Sequence, residues 1–243
     1  MSHVCIGGQV TSQGVLIVKG VREDGHRELL AVDVVDTESE ATYDELFRSL
    51  KERGLYGVQL VTSDDHRGLV AAIHRHFQGA SWQRCYVHFL RNASGRVARK
   101  HRKALTSDLK AVYAAPDAAW ALNLARDVVN CWSGTHPALA RWIEGGIEAT
   151  LAHSSFPEAH RRKIRSTNGV ERFNPEIKRR TRVVRIFPNW EACLRLVTAL
   201  CIEQTEEWLS GKQYLDMSHL EPAEDAALST IPATEIEEGD MAA

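Results

Sequence analysis

The 243-residue chain lacks several features that would mark special protein classes. No apolar run approaches the roughly 18 residues of a membrane-spanning helix. The first ten residues have neither the basic nor the apolar region of a secretory signal. Five cysteines, an odd number scattered along the chain, favour reduced thiols over a disulfide framework. With 44% hydrophobic and 26% charged residues, collagen-like and wholly disordered chains are excluded. We expect a soluble, globular protein of the cytoplasm.

Basic residues are absent from the C-terminal segment. Residues 213–243 contain no Lys or Arg but eight acidic residues, so residues 1–212 carry a formal charge of +6 although the whole chain carries −2. The segment is also rich in Ala, Pro and Thr. This composition predicts an acidic, disordered tail over residues 213–243.

The basic residues are concentrated instead between residues 161 and 185. A cluster of this density, rich in arginine, favours binding of a polyanion such as DNA, because guanidinium groups form bidentate contacts with phosphate. The alternative is a solvated helix face. The candidate DNA-binding residues are Arg161, Arg162, Lys163, Arg165, Arg172, Lys178, Arg179, Arg180, Arg182 and Arg185.

The first third of the sequence is typical of an α/β fold. Apolar runs at residues 15–18 and 30–34 predict two strands, and Asp24-Gly25 between them is a hairpin signal. Thr37 and Glu40 have capping-box spacing before a helical pattern. Further strands are expected at residues 58–61 and 82–87, separated by a second amphipathic helix. This order predicts a sheet flanked by helices.

The pattern becomes helical after His88. Residues 91–160 have helical apolar spacing and no convincing strand. A short helix is expected over residues 168–181, and Pro188 introduces a long final helix with one apolar stripe.

Two acidic residues have positions that suit chemistry. Asp64, followed by Asp65 and His66, ends an apolar strand, and this edge of an α/β sheet is where ligands bind. The alternative is that Asp64 caps the next helix. Glu171 is either a capping glutamate three residues after Asn168 or a carboxylate that the basic helix presents to the same edge.

Cys85 and His88 form a C-x2-H motif. Two zinc ligands are present, but a structural zinc site needs four, and no second pair occurs at suitable spacing. The spacing by itself therefore favours a buried thiol and a polar histidine at a helix start.

An ordered set of segments resembles the mutator-type transposases of bacterial insertion sequences. The resemblance covers residues 10–208 and is carried by GHRELL (25–30), SDDHRGL (63–69), WQRCYVHFLRN (82–92), STNGVERFN (166–174), KRRT (178–181) and FPN (187–189).

This resemblance implies a ribonuclease-H-like mixed sheet flanked by helices, and a DDE enzyme that cleaves and joins DNA strands. The implied core covers residues 1–90, an all-helical insertion residues 91–165, and the last core helices residues 166–212. Asp64 and Glu171 would be catalytic and would bind Mg²⁺ or Mn²⁺. Cys85, His88, Asp65, His66, Asn168 and Asn174 would lie near them.

The resemblance also implies partners. These are double-stranded DNA, namely terminal inverted repeats and target DNA, and a second copy of the chain in a dimer or higher assembly. The protein would be cytoplasmic and associated with the nucleoid, with no membrane partner.

Two departures from the family pattern affect the expected activity. The first catalytic Asp of the family would fall just before Met1, and Pro175 lies inside the helix predicted to carry Glu171, where a proline costs about 3 kcal/mol or kinks the helix. We therefore expect this chain alone to be inactive or weakly active. The alternative function is that of an inactive, DNA-binding or dimerising remnant that inhibits a full-length transposase.

Overall fold

The computed structural model describes residues 2–220 and begins with a three-stranded antiparallel sheet. Its strands, β1 (Ser2–Ile6), β2 (Gln9–Val21) and β3 (Arg27–Val35), follow one another as a meander. The turn between β2 and β3 contains the predicted Asp24-Gly25 pair, and Gly25 has a φ of 80°, which a side chain would oppose. The predicted hairpin is therefore confirmed.

The next elements form a parallel β-α-β unit. Helix α1 (Glu40–Glu52) precedes β4 (Leu60–Ser63), α2 (Arg67–His76) and β5 (Ser81–Arg84), and β4 and β5 pair in parallel. Helix α1 is capped by Ser39, which accepts a hydrogen bond from Thr42 N–H, so the capping position predicted at Thr37 is wrong by two residues.

The α/β class is thus confirmed, with a different distribution of strands. Within residues 2–220 the antiparallel strands β1–β3 and the parallel pair β4–β5 form two separately hydrogen-bonded sheets rather than one mixed sheet. The strand predicted over residues 82–87 is shorter than expected, because helix α3 already begins at Tyr86.

Helices dominate the middle of the chain. They are α3 (Tyr86–Gly95), α4 (Arg99–Tyr113), α5 (Ala118–Ser133), α6 (Pro137–Glu144) and, after two short 3₁₀ turns, α7 (Glu158–Ile164). They enclose a core of their own, in which Phe89, Leu105, Leu109 and Ile143 are fully buried. This part of the chain therefore has its own hydrophobic core, next to the sheets.

The last helices return to the antiparallel sheet. Helix α8 (Asn168–Glu171) and α9 (Asn174–Val184) lead to α10 (Trp190–Ser210), which packs on β3. Pro175 lies in the first turn of α9, where a missing N–H has no intrahelical partner to lose. The single helix predicted over residues 168–181 is therefore wrong, and Pro175 begins a new helix instead of kinking the one that carries Glu171.

The first residues of the predicted tail are packed against the sheet. Tyr214 and Leu215 donate backbone hydrogen bonds to the Gly25 carbonyl, and Leu215 is only 5% exposed. The prediction of disorder from residue 213 is therefore wrong for residues 213–220, because Tyr214 and Leu215 supply apolar surface within an acidic composition. Residues 221–243 of that tail lie outside the described residues. No described helix combines the length and the apolar character that crossing a bilayer requires.

Candidate functional site at the end of β5

The C-x2-H motif lies where β5 gives way to α3. Cys85 occupies the N-cap position of α3, and its N–H donates to the Ser63 carbonyl at the end of β4. The thiol is fully buried, whereas the His88 side chain, one turn further on, is 26% exposed. The chain therefore places sulfur and imidazole side by side at the carboxyl end of the parallel strands.

Thr167 connects this motif to Glu171. The Thr167 N–H and hydroxyl lie 3.4 and 3.3 Å from the Cys85 sulfur, and the hydroxyl lies 3.0 Å from Glu171 Oε1 as its donor. Helix α8 begins directly after Thr167, so its single turn points Glu171 back towards α3. The predicted approach of Glu171 to the C-x2-H motif is thus present in the structure.

A histidine and an arginine face the Glu171 carboxylate. His88 Nε2 lies 3.4 Å from Oε1, and Arg91 lies 3.7 Å from Oε2. The neighbouring Cys85 sulfur, and then the charges of Glu171 and Asp64, raise the pKa of His88 against the opposing effect of burial. His88 therefore holds a proton more readily than a free histidine.

The Cys85 thiol is also perturbed. Burial raises the pKa of Cys85, but the hydrogen bonds with His88 and Thr167 together lower it by more than burial raises it. The pKa is therefore about 7, below that of a free cysteine. A substantial fraction of this buried sulfur is therefore thiolate at neutral pH.

Asp64, Asp65 and His66, which follow β4, have different surroundings in the structure. Asp64 is exposed and close enough to His88 to affect its pKa. Asp65 forms an ion pair with Arg84 at 2.9 Å. His66 is the N-cap of α2 and accepts a hydrogen bond from Leu69 N–H through Nδ1, so the alternative that Asp64 caps this helix is wrong.

Glu171 opens into a surface cleft of about 570 Å³. Besides Pro175, its other lining side chains come from α3 and α9 and are His88, Arg91, Asn174, Lys178, Arg179 and Arg182. Asn168, the other predicted asparagine, begins α8. The cleft is thus a cationic groove with one carboxylate among its lining residues.

The ten predicted DNA-binding residues divide into two kinds. Arg161, Lys163 and Arg165 donate hydrogen bonds to main-chain carbonyls, and Arg165 also stacks on Tyr86. The remaining seven are exposed; they are Arg162, Arg172, Lys178, Arg179, Arg180, Arg182 and Arg185. Only part of the cluster is therefore available to a ligand.

Three residues near the site were missed by the sequence analysis. Arg91 follows His88 by three residues on α3, a spacing that places both on one helix face. Thr167 lies one turn before Glu171. Lys19 approaches α8 from β2, and its Nζ lies so close to Gly169 that a Cβ at this position would clash with it. The first two could have been found from helical spacing, whereas nothing in the sequence signals the third.

One group of three potential metal ligands occurs among the described residues. The ligand atoms of Cys85, His88 and Glu171 lie within 4.8 Å of one another, and Asp64 is not part of the group. The sequence by itself indicates only Cys85 and His88 as possible zinc ligands, because Glu171 is 86 and 83 residues away from them.

Comparisons with known proteins cover most of the chain. Residues 1–211 match the model of a family described as "Transposase, Mutator family". The chain is 45% identical to the transposase for insertion sequence element ISRM5 of Rhizobium meliloti, over 91% of this chain and 56% of the relative. It is 41% identical to the transposase for IS406 of Burkholderia multivorans, over 88% and 56%.

A third relative, the transposase for IS256 in transposon Tn4001 of Staphylococcus aureus, is 35% identical over 86% of this chain and 54% of its own length. The chain therefore spans little more than half the length of the relatives that it matches. From the family match over residues 1–211 and the 45% identity, the chain belongs to the Mutator family of transposases.

Proposed function

We propose that this chain provides the DNA-binding and strand-transfer surface of an insertion-sequence transposase of the DDE class. The observation that carries the proposal is the position of Glu171, the one carboxylate that the described residues contribute to a cleft whose lining includes His88 and the cationic side chains Arg91, Lys178, Arg179 and Arg182. The names of the relatives, all transposases for insertion sequences, support the same role.

The cationic side chains would bind the DNA backbone. Arginine and lysine neutralise phosphates and displace counterions, which gives sequence-independent affinity. Helix α9 presents Lys178 and Arg182 one turn apart along the cleft. A duplex bound at these cations would therefore lie next to Glu171, which lines the same cleft.

Two of the side chains at the site are suitable ligands for a divalent cation. Asp64 and Glu171 both supply hard oxygen ligands, and the charges of both reach His88. These two residues would hold Mg²⁺ or Mn²⁺, and such an ion would activate the attacking oxygen and stabilise the leaving oxygen of a phosphodiester. Asp65 is instead paired with Arg84.

The surrounding residues would then orient the carboxylate and the DNA. Thr167 fixes Glu171 Oε1 through its hydroxyl, and Arg91 lies beside Oε2 on the cleft side. Arg91 is thus placed to contact a phosphate next to Glu171. The substrates would be the terminal inverted repeats and a target duplex, held by two copies of the chain in the cytoplasm at the nucleoid.

Strand transfer and DNA binding test the proposal separately. The chain alone and a full-length transposase that contains it are each mixed with a labelled duplex that carries the element's end and with target DNA, in Mg²⁺ or Mn²⁺. We expect salt-dependent binding, and we expect any cleavage and joining to disappear in Asp64→Asn and Glu171→Gln. Wild-type activity in either variant would contradict the assigned roles.

Glu176→Gln is the matched control, because it removes a carboxylate from α9 that faces Arg179 and Arg180. It should leave strand transfer intact. Salt-dependent binding without any strand transfer would favour the alternative function, an inactive DNA-binding form that competes with an active transposase.

A further inference from the structure

The group of Cys85, His88 and Glu171 has the composition of a site for a transition metal. Thiolate, imidazole and carboxylate are the ligand types of zinc sites, whereas Mg²⁺ prefers oxygen ligands alone. Cys85 and His88 come from the β5–α3 junction, and Glu171 comes from α8. Elements distant in the sequence therefore bring three different ligand types together.

The distances suit tetrahedral coordination. Metal–ligand bonds of about 2.0 to 2.3 Å at a tetrahedral angle place the ligand atoms about 3.3 to 3.6 Å from one another. His88 Nε2 and Glu171 Oε1 are 3.4 Å apart, and all three ligand atoms lie within 4.8 Å. Small rotations of the three side chains would bring their ligand atoms to the separations that tetrahedral coordination requires.

The second layer of contacts also suits a bound metal. The Thr167 N–H donates to the Cys85 sulfur, and such a donor stabilises a metal-bound thiolate and fixes its orientation. The Thr167 hydroxyl donates to Glu171 and so orients that ligand. His88 is placed to bind the ion through Nε2, the nitrogen that faces Glu171.

The position of the group provides access and a free coordination position. The sulfur is fully buried, but His88 and Glu171 line the cleft, so an ion can enter from that side. Three protein ligands with one open position are typical of zinc sites that bind a water or a substrate oxygen. The open position here would face the groove lined by Arg91 and Lys178.

We propose that Cys85, His88 and Glu171 bind one zinc-like divalent transition-metal ion, with the fourth position open to the cleft. Binding displaces the thiol proton of Cys85 to solvent as the sulfur–metal bond forms, and no electron is transferred. This site shares Glu171 with the Mg²⁺ site proposed above but differs from it, since it uses sulfur and nitrogen and does not include Asp64. The inference holds in the absence of DNA and so does not depend on the strand-transfer activity.

Cobalt binding tests the inference. The 243-residue chain, freed of metal by a chelator, is titrated with Co²⁺ under reducing conditions while the near-ultraviolet and visible spectra are recorded. We expect a sulfur-to-cobalt charge-transfer band that saturates at one ion per chain, tetrahedral visible bands, and displacement by Zn²⁺ but not by excess Mg²⁺. Absence of the charge-transfer band in the folded chain, or displacement by Mg²⁺, would overturn the inference.

Variants identify the ligands. Cys85→Ser should abolish the charge-transfer band, and His88→Asn and Glu171→Gln should each weaken Co²⁺ binding by at least about tenfold. Cys131→Ser, which changes an exposed cysteine elsewhere, is the matched control and should retain the band. A band that persists in Cys85→Ser would refute the site.

Loss of folding is tested independently. Circular dichroism of each variant establishes the folded state, and Thr167→Val keeps all three ligands while removing the hydroxyl that orients Glu171 beside the sulfur. Weaker Co²⁺ binding with an unchanged circular dichroism spectrum supports the site. Unchanged affinity in both Thr167→Val and Glu171→Gln contradicts it.

Discussion

Two groups of basic side chains lie close together in the sequence but have different surroundings. The α7 group, defined as Arg161, Lys163 and Arg165, donates hydrogen bonds to the main-chain carbonyls of Pro116, Tyr214 and Tyr113. The bonds to Pro116 and Tyr113 connect α7 to other parts of the helical region, and the bond to Tyr214 connects it to the C-terminal segment. The α7 group therefore acts as a set of structural cross-links.

The α9 group, defined as Lys178, Arg179 and Arg182, lines the cleft beside Glu171. Its side chains are exposed, and Arg179 is held only by an exposed ion pair with Glu176. The density of basic residues along the sequence is similar for the two groups. It therefore does not distinguish a basic side chain that is available to a ligand from one that is hydrogen-bonded to a main-chain carbonyl. The four predictions that follow test this comparison.

The largest effect is expected from removal of the α9 group. Replacing Lys178, Arg179 and Arg182 together by Ala should weaken duplex binding about 100-fold near 0.15 M salt and reduce the salt-dependence slope by about 3, at roughly 0.9 per lost phosphate contact. Fluorescence anisotropy over a series of salt concentrations measures both quantities.

The matched control replaces three exposed basic residues of α4, namely Lys100, Arg102 and Lys103, by Ala. It changes the net charge by the same amount without touching the cleft. Equal losses in the two triple variants would show that net charge, and not the cleft, determines affinity.

The second prediction concerns pH and the surroundings of the α7 group. His153 is buried, its N–H donates to Gln83, and burial, followed by the charge of Arg165, lowers its pKa from 6.5 to about 4. The unfolded chain then binds a proton that the folded chain does not, so the free energy of unfolding falls as pH decreases from 6.5 to 4. The loss attributable to His153 should be on the order of 2 kcal/mol.

Chemical denaturation at several pH values measures this dependence, with His153→Gln as the reference. The curve of the variant should be flatter over the same range. Parallel curves for the two proteins would contradict a neutral, buried His153.

The third prediction contrasts one member of each group. Arg165→Ala should lower the free energy of unfolding by about 1.5 kcal/mol, because it removes a hydrogen bond to Tyr113 and a stacking contact with Tyr86. Its effect on DNA affinity should be small. Arg182→Ala should show the reverse, with weaker binding and unchanged stability. The comparison fails if Arg165→Ala weakens binding more than Arg182→Ala.

The smallest effect is expected from Glu176. Hydrogen bonds from Arg179 and then from Arg180 lower the pKa of Glu176 to about 2, so this carboxylate is charged at any ordinary assay pH. Glu176→Gln should free both arginines and strengthen duplex binding about threefold at low salt. Glu203→Gln, an equal change of charge on α10, should have less effect, and identical gains would contradict the pairing.

Local sequence patterns predicted the elements well where the pattern itself supplies the stabilising contacts. The Asp24-Gly25 turn and the helical spacing after His88 needed only neighbouring residues, and both are found. Pro175 was misinterpreted as interrupting a helix, although proline is equally typical of a first helical turn, and the preceding break at residues 172–173 makes it one. Tyr214 and Leu215 were likewise placed in a disordered segment, since their packing partners lie far away in the chain.

The candidate site shows the same limit. Cys85, His88 and Glu171 were each singled out from the sequence, but the hydroxyl of Thr167 that links them was not. The predicted roles of Asp64 and Glu171 in catalysis stay predictions, whereas His66, and not Asp64, is the helix cap. Capping depends on backbone angles that differ between adjacent residues.

The sequence by itself determined the α/β class, the helical middle, the concentration of positive charge and the residue types available for chemistry, because these follow from composition and short-range periodicity. The tertiary structure alone decided which cations face the cleft and which bind carbonyls. It also decided that Cys85 and Glu171, 86 residues apart, share a hydrogen-bonded threonine. Both outcomes depend on contacts between residues that are far apart in the sequence, such as those between α3 and α8. No local sequence pattern contains these contacts.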